Sequence, residues 1–242
     1  MTELIYQIDA YQKVCDARVV ELDSDNQGII LDRTVFYTGG GGQPHDTGTL
    51  TCGEQVYVVN RVKKIGEHAF HFVNGDEALP AVGDLIHCSI DWERRFQLMR
   101  THTALHVLCG VVFRDYGALV TGGDMEPLQG RMDFEFETMQ KELVEEIEAA
   151  VNLEIGRSHQ VRVTILPRTQ AFQIPDLIRT KINLLPEGIQ EVRVVEIVGL
   201  DLQADGGTHV NNTSEIGRIR VTDYKSKGKI NKRLYIEVGP AG

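Results

Sequence analysis

Apolar and polar residues alternate along this chain with two different periods, and the switch falls at Asp91. Before it the pattern is that of short strands. Residues 17–31 mix β-branched residues with Asp and Glu and are broken at Ser24-Asp25-Asn26-Gln27-Gly28; residues 56–59, 69–73 and 85–90 are further strand-like runs. Turn-forming residues separate them at Asn74-Gly75-Asp76 and Pro80-Ala81-Val82-Gly83-Asp84. Many short strands with Gly-rich turns predict a small β-barrel.

Asp91 is a good helix N-cap, and beyond it the period is near four. A helix is predicted from Trp92 to about Tyr116, closed by Gly117. One of its faces carries Leu98, His102, Leu105, His106, Cys109 and Phe113. Residues 120–124 read as a loop and 131–136 as a strand. Thr138 caps a second helix through about Ile155, with Leu143, Ile147, Ala150 and Val151 on its buried stripe. Then follow a strand at 161–166, a short helix at 169–180 interrupted by Pro175, a strand at 191–198, a loop, and a hairpin of 217–224 and 230–238. The expected class is α+β: an N-terminal small β-barrel over 1–90, then over 91–242 an α/β two-layer domain with an antiparallel sheet.

Composition narrows this picture only a little. With 42% hydrophobic and 25% charged residues the chain is an ordinary globular one. No apolar run approaches the ~20 residues of a membrane span and no secretory leader is evident, so no membrane partner and a cytoplasmic location are expected. The four cysteines, Cys15, Cys52, Cys88 and Cys109, are too dispersed for a zinc knuckle or a disulfide framework and read as reduced thiols. A net charge of −10 argues against a general nucleic-acid binder, unless cations are concentrated locally.

The chemistry concentrates in two segments. His102 and His106 lie four residues apart on an apolar helix face, and a helix turns once in ~3.6 residues, so both rings project from one side. A single histidine there is most simply a satisfied core residue. Two together are harder to bury, since each unpartnered polar group costs roughly 1–3 kcal/mol, and a metal ion uses both at once. Thr103 holds the place of the glutamate in the His-Glu-x-x-His protease motif, so a helix-borne general base is missing. The second segment is Asp205-Gly206-Gly207-Thr208-His209. Its glycines let the backbone bend tightly. His209 supplies a third imidazole, and three protein ligands with an open position is the arrangement of a catalytic zinc. Asp205 is either a fourth, oxygen ligand or a turn former.

These residues resemble a known family. His-x-x-x-His, the later Gly-Gly-Thr-His and the following Thr213-Ser214-Glu215-Ile216-Gly217 are similar to the editing domain of alanyl-tRNA synthetase. The upstream stretch from Phe36 through Gly39-Gly40-Gly41-Gly42-Gln43-Pro44-His45-Asp46 to Gly48 resembles that family's glycine-rich motif. With no aminoacylation domain before it and no long extension after it, the chain is expected to be a free-standing editing protein of the AlaX type, of the medium length that keeps the barrel. The resemblance implies one zinc per chain and hydrolysis in trans of seryl, or glycyl, ester from mischarged alanine tRNA. It implies that the glycine loop, with Gly40, Gly41, Gly42 and Gln43 as substrate contacts, leans over the metal. It also implies a polar side chain after the histidine helix that recognises the serine hydroxyl, by position Thr121; Thr208 is a further substrate candidate. The one departure is Asp205, where the family usually has cysteine.

Arg218, Arg220, Lys225, Lys227, Lys229, Lys232 and Arg233 concentrate in the last hairpin, with Arg94, Arg95 and Arg100 as a second cluster beside the histidine helix; such a run alone is most simply a solvated face, and the resemblance implies that the hairpin contacts acceptor-stem phosphates. Two other classes remain open: a non-catalytic module that binds tRNA or a synthetase, and a zinc hydrolase of small esters. The expected partner is tRNA and the expected state a monomer.

Overall fold

The computed structural model describes residues 1–75, 78–180 and 188–240 and divides into two compact units, Met1–Phe96 and Gln97–Gly242. In the first, eight strands form: β1 (Glu3–Leu4), β2 (Val14–Asp23), β3 (Gly28–Leu31), β4 (Arg33–Thr34), β5 (Gly48–Cys52), β6 (Gln55–Ile65), β7 (His68–Val73) and β8 (Leu85–Ile90). Six close an antiparallel barrel in the order β2-β3-β7-β6-β5-β8, with β8 returning to β2. Strand alternation, with a bulge between Val59 and Arg61 in β6, sends Ala17, Val19, Ile29, Leu50, Val59, Val62 and Ile86 inward to a shared core. The expected barrel is therefore present, and β5 is a strand that hydrophobic pattern did not reveal. Its first residue explains the register: a Cβ on Gly48 would lie 2.2 Å from the Ser89 carbonyl oxygen, so only glycine lets β5 and β8 close up there. Of the expected turn at 74–76, Asp76 lies outside the described residues.

One histidine enters the barrel interior. His71 is fully buried, with Nδ1 3.0 Å from the Ile29 carbonyl and Nε2 2.8 Å from the Thr34 hydroxyl. The carbonyl can only accept, so Nδ1 carries the proton and Nε2 accepts from Thr34.

Helix α1 (Trp92–Tyr116) has the expected bounds. Asp91 Oδ1 accepts from the Arg94 amide at 3.1 Å, and Gly117 takes a positive φ of 65° as its amide bonds the Phe113 carbonyl. From Leu98 to Val112 the helix is buried on every side rather than along one stripe. Its threonines tolerate this because each finds a backbone partner: the Thr101 and Thr103 hydroxyls donate to the carbonyls one turn back, of Gln97 and Met99, both at 2.9 Å.

The second unit continues with β9 (Val120–Glu126), β10 (Gln129–Glu135), α2 (Lys141–Gly156), β11 (Val161–Pro167), α3 (Arg168–Ala171), β12 (Glu191–Ile197), β13 (Asp201–Ala204), β14 (Ile219–Ser226) and β15 (Asn231–Val238). Its sheets are antiparallel, β14-β15-β10-β9 and β11-β12-β13. A Cβ on Gly130 would stand 3.2 Å from the Leu105 methyls, which shows how closely β10 packs on α1. At the edge, Asn152 of α2 bonds both the amide and the carbonyl of Ile219, each at 2.9 Å, and Glu148 accepts from the Val221 amide at 2.7 Å.

Several expectations need correction. Residues 120–124 form β9, whose glycines weaken the strand signal but pair fully with β10. The cap of α2 is Gln140, not Thr138, and its buried stripe is Val144, Ile147, Val151 and Ile155, leaving Leu143 and Ala150 half-buried. The expected helix at 169–180 shrinks to α3. Pro175 disfavours helix in the residue before it and Asp176 has a positive φ of 55°. Strand β13, just ahead of the Gly-Gly-Thr-His loop, was not expected.

Candidate metal centre

Two elements of the second unit bring the site together. Helix α1 presents His102 and His106 one turn apart, and the loop after β13 presents Asp205 and His209. One ligand atom from each of the four lies within 4.8 Å of every other. The rings of His102, His106 and His209 are 4.3–5.1 Å apart by centroid, and all three are buried. Asp205 Oδ1 stands 3.5 Å from His102 Nε2 and 4.0 Å from His106 Nε2, while its Oδ2 stands 3.0 Å from His209 Nε2.

The surrounding hydrogen bonds settle which nitrogens face inward. His106 Nδ1 donates to Asp201 Oδ2 at 3.1 Å. His209 Nδ1 lies 3.2 Å from the Thr103 hydroxyl; with that hydroxyl donating to Met99, the tautomer protonated on Nδ1 donates to Thr103 and frees Nε2 to bind a metal. Both Nε2 atoms are thereby turned toward Asp205. Such outer partners fix a ring's tautomer and orientation for metal binding. Thr103, which stands where a metalloprotease has its glutamate, thus serves as a brace for His209.

Asp205 is at once a turn former and a member of the cluster. Its Oδ2 accepts from the Gly207 amide at 2.7 Å, which shapes the loop, and Arg193 of β12 donates to its backbone carbonyl at 3.0 Å. Burial alone would raise its carboxyl; the three neighbouring histidines outweigh this and hold it well below the usual range. Burial pushes His102 well down and His209 down to about 4, against the pull of Asp205. Burial also lowers His106, but its bond to Asp201 and the charge of Asp205 prevail and leave it raised.

The donor set therefore fits a cation. Burial holds His209 down to about 4, and in the tautomer protonated on Nδ1 its Nε2 lone pair points, with those of the other rings, toward the Asp205 carboxylate at 3.0 Å. Three imidazole nitrogens and one carboxylate oxygen suit zinc or a neighbouring divalent transition metal.

Thr208 is buried beside His209. Thr121, exposed on β9, donates its hydroxyl to Asn231 at 2.6 Å. In the first unit, Gly39, Gly40, Gly41 and Gly42 all have positive φ, and Gly40 and Gln43 bond each other's backbone in a tight turn. The turn is anchored by Asp46, which accepts from the Tyr37 amide at 2.7 Å and is clasped by the Arg95 guanidinium, both partners fully buried. Arg95 and Arg100 are thus not a surface cluster: Arg95 serves Asp46, and Arg100 is buried, donating to the Ile216 carbonyl at 2.7 Å and to that of Gly239. In the hairpin, Lys232 is buried and bonds the carbonyls of Gly228 and Lys229, Arg233 clasps Asp133 bidentately at 2.6 and 2.7 Å, Arg220 pairs with Glu237, and Lys225 pairs with Asp223. Arg218, Lys227 and Lys229 are exposed without an ion-pair partner among the described residues.

Similarity to known proteins accords with this arrangement. The family model for class II (A) tRNA synthetases matches residues 5–94, and that for the second additional domain of threonyl and alanyl tRNA synthetases matches 192–235, which includes Asp205 and His209. The Alanyl-tRNA editing protein AlaX-M of Saccharolobus solfataricus is 38% identical over 242 residues, covering 99% of this chain and 100% of that protein. This chain belongs to the AlaX-M family of alanyl-tRNA editing proteins. The AlaX-M of Methanosarcina acetivorans is 37% identical over 241 residues, 97% of this chain and 98% of its own. The Alanine--tRNA ligase of Pyrococcus furiosus is 37% identical over 227 residues, 91% of this chain but 24% of the ligase. AlaX-M membership thus spans both units. His102 and His106 fall outside the two stretches that the family models match.

The sequence signal missed Asp201 and Arg193, and it read Arg95 as part of a basic cluster rather than as the buried partner of Asp46. Asp201 and Arg193 sit in strands without a motif, and Arg95 is one arginine among several; only their partners in the folded chain distinguish them.

Proposed function

We propose that this chain is a deacylase that removes serine, or glycine, from mischarged alanine tRNA in trans, with one zinc ion held by His102, His106, His209 and Asp205. The observation that carries this reading is the set of inward-facing Nε2 atoms meeting one half-buried carboxylate. A divalent cation held there supplies Lewis acidity beside the ester, or a holding point for the substrate's amino group.

The chain's own residues do the positioning. Asp201 and Thr103 keep the rings of His106 and His209 in one tautomer, and Arg193 holds the loop that carries Asp205. Burial of the three histidines keeps bulk water from competing for them. Serine differs from alanine by one hydroxyl, and a site that hydrogen-bonds that hydroxyl discriminates strongly, because the alternative leaves a polar group unpaired. Thr208 and Thr121 are proposed for this contact, and Gly40, Gly41, Gly42 and Gln43 for the 3′-terminal nucleotide. Arg218, Lys227 and Lys229, exposed at the last hairpin, are proposed to meet phosphates, with Lys225, Lys232 and Arg233 shaping and charging the same hairpin. The family name of the relatives supports tRNA as the substrate. No helix among the described residues is long and apolar enough to cross a membrane.

The test is direct. Purified protein is incubated with seryl-, glycyl- and alanyl-charged alanine tRNA, and zinc is measured by elemental analysis. The reading expects release of serine or glycine, retention of alanine, about one zinc per chain, and loss of both activity and zinc in His102→Ala and His209→Ala. Full activity in a metal-free preparation would remove zinc from the proposal.

A further inference from the structure

Resting on the tRNA reading above, we propose that the outer face of barrel strands β6 and β7 is a platform for single-stranded RNA. The face is built by register. Arg61 lies directly across from Phe72, and Lys63 directly across from Phe70, so cations on β6 stand beside aromatic rings on β7. Alternation along β7 turns His71 and Val73 into the barrel and leaves Phe70 and Phe72 half-buried on the outside. The two rings lie 6.2 Å apart and 22° from parallel, and the Arg61 guanidinium sits 5.0 Å from the Phe72 ring centre.

The face borders a groove. Gly40, Pro44 and His45 of the glycine loop form one wall, and Arg61, Lys63 and Lys64 the other. All three cations are exposed, and none has an ion-pair partner among the described residues. This contrasts with the last hairpin, where most basic side chains are already engaged by carboxylates or carbonyls. In a chain of net charge −10, three adjacent unpaired cations form a local field that the total conceals.

Phosphates along a strand answer the cations, and bases stack on the rings; a basic groove interleaved with aromatics is how single-stranded nucleic acid is held without sequence reading. A duplex fits poorly, because its bases are already stacked on each other and cannot reach the rings. The expected occupant is therefore an unpaired strand such as the one that ends a tRNA.

The experiment measures anisotropy of a labelled short oligoribonucleotide ending in CCA, across a salt series, against the full chain. The expected result is binding that weakens with salt. Combined Arg61→Ala, Lys63→Ala and Lys64→Ala should flatten the slope of log affinity against log salt by about 2, three phosphates at roughly 0.7 each. Phe70→Ala should weaken binding about tenfold and leave that slope unchanged. Emission of Trp92, the single tryptophan, and circular dichroism check that each variant is folded. Absence of binding, an unchanged slope in the triple variant, or equal affinity for a duplex of the same sequence would overturn the platform. Deacylation is assayed in parallel. Turnover of mischarged tRNA without oligonucleotide binding leaves the deacylase standing and removes the platform. The predicted binding pattern without turnover of any charged tRNA does the reverse.

Discussion

Asp201 accepts the Nδ1 proton of His106 across 3.1 Å, and α1 makes room for it with a glycine one turn on: a Cβ on Gly110 would stand 3.0 Å from that of Asp201. The carboxylate is buried and also accepts from Gln203 at 2.7 Å, so its place is fixed from two sides. Replacing it with alanine should free the His106 ring to turn. Asp201→Ala is expected to lower metal affinity by about ten- to a hundredfold, read by competition against a chromogenic chelator, while circular dichroism stays unchanged.

Asp205→Cys exchanges a hard oxygen for a soft thiolate at the position where the family usually has cysteine. Zinc should bind more tightly by about tenfold, or ~1.4 kcal/mol, and selectivity over magnesium should rise. Unchanged zinc affinity in the same chelator assay would show that residue 205 does not ligate.

The Arg95–Asp46 pair ties the first turn of α1 to the glycine loop within the first unit. Arg95 also bonds the carbonyls of Ala10 and Val35, at 2.9 and 2.7 Å. Removing one member strands a buried charge, so Arg95→Leu or Asp46→Ala should each cost about 3–5 kcal/mol. Trp92 packs on Tyr11 and Phe96 in the same unit, so the loss should appear as a lower urea midpoint of its emission.

His71 gives the barrel a pH dependence. Burial lowers its folded pKa to about 4, against an ordinary 6.5. Between these values the unfolded chain binds a proton that the folded chain does not, so stability is full above pH 6.5 and falls as the pH drops toward 4. The difference amounts to at most about 3 kcal/mol. Trp92 urea midpoints at pH 7 and pH 5 should differ in the wild type, and the difference should shrink in His71→Gln, even though that variant is less stable at pH 7.

Much of this is legible in the amino-acid order alone. Asp91 and Gly117 mark the ends of α1 because capping is local chemistry, and His102, His106 and His209 form a cluster because a helical spacing and a glycine-hinged loop each constrain one ring direction. Asp205 escapes a single reading because it plays two parts at once, accepting from Gly207 and facing the histidines. The burial of α1 on all sides is hidden by Arg100, Thr101 and Thr103, whose polarity is answered by carbonyls that only the folded chain supplies. The hairpin cations illustrate the same gap: a sequence counts charges, but Lys232 and Arg233 already have partners across the turn and the strand.

Strand β14 ends the four-stranded sheet, and such a border normally invites another strand to add on. Here Asn152 and Glu148 occupy its outward amides at Ile219 and Val221 and its outward carbonyl at Ile219. Two helix side chains thus imitate a neighbouring backbone, and the first rungs of that border are closed to a second molecule before any could dock.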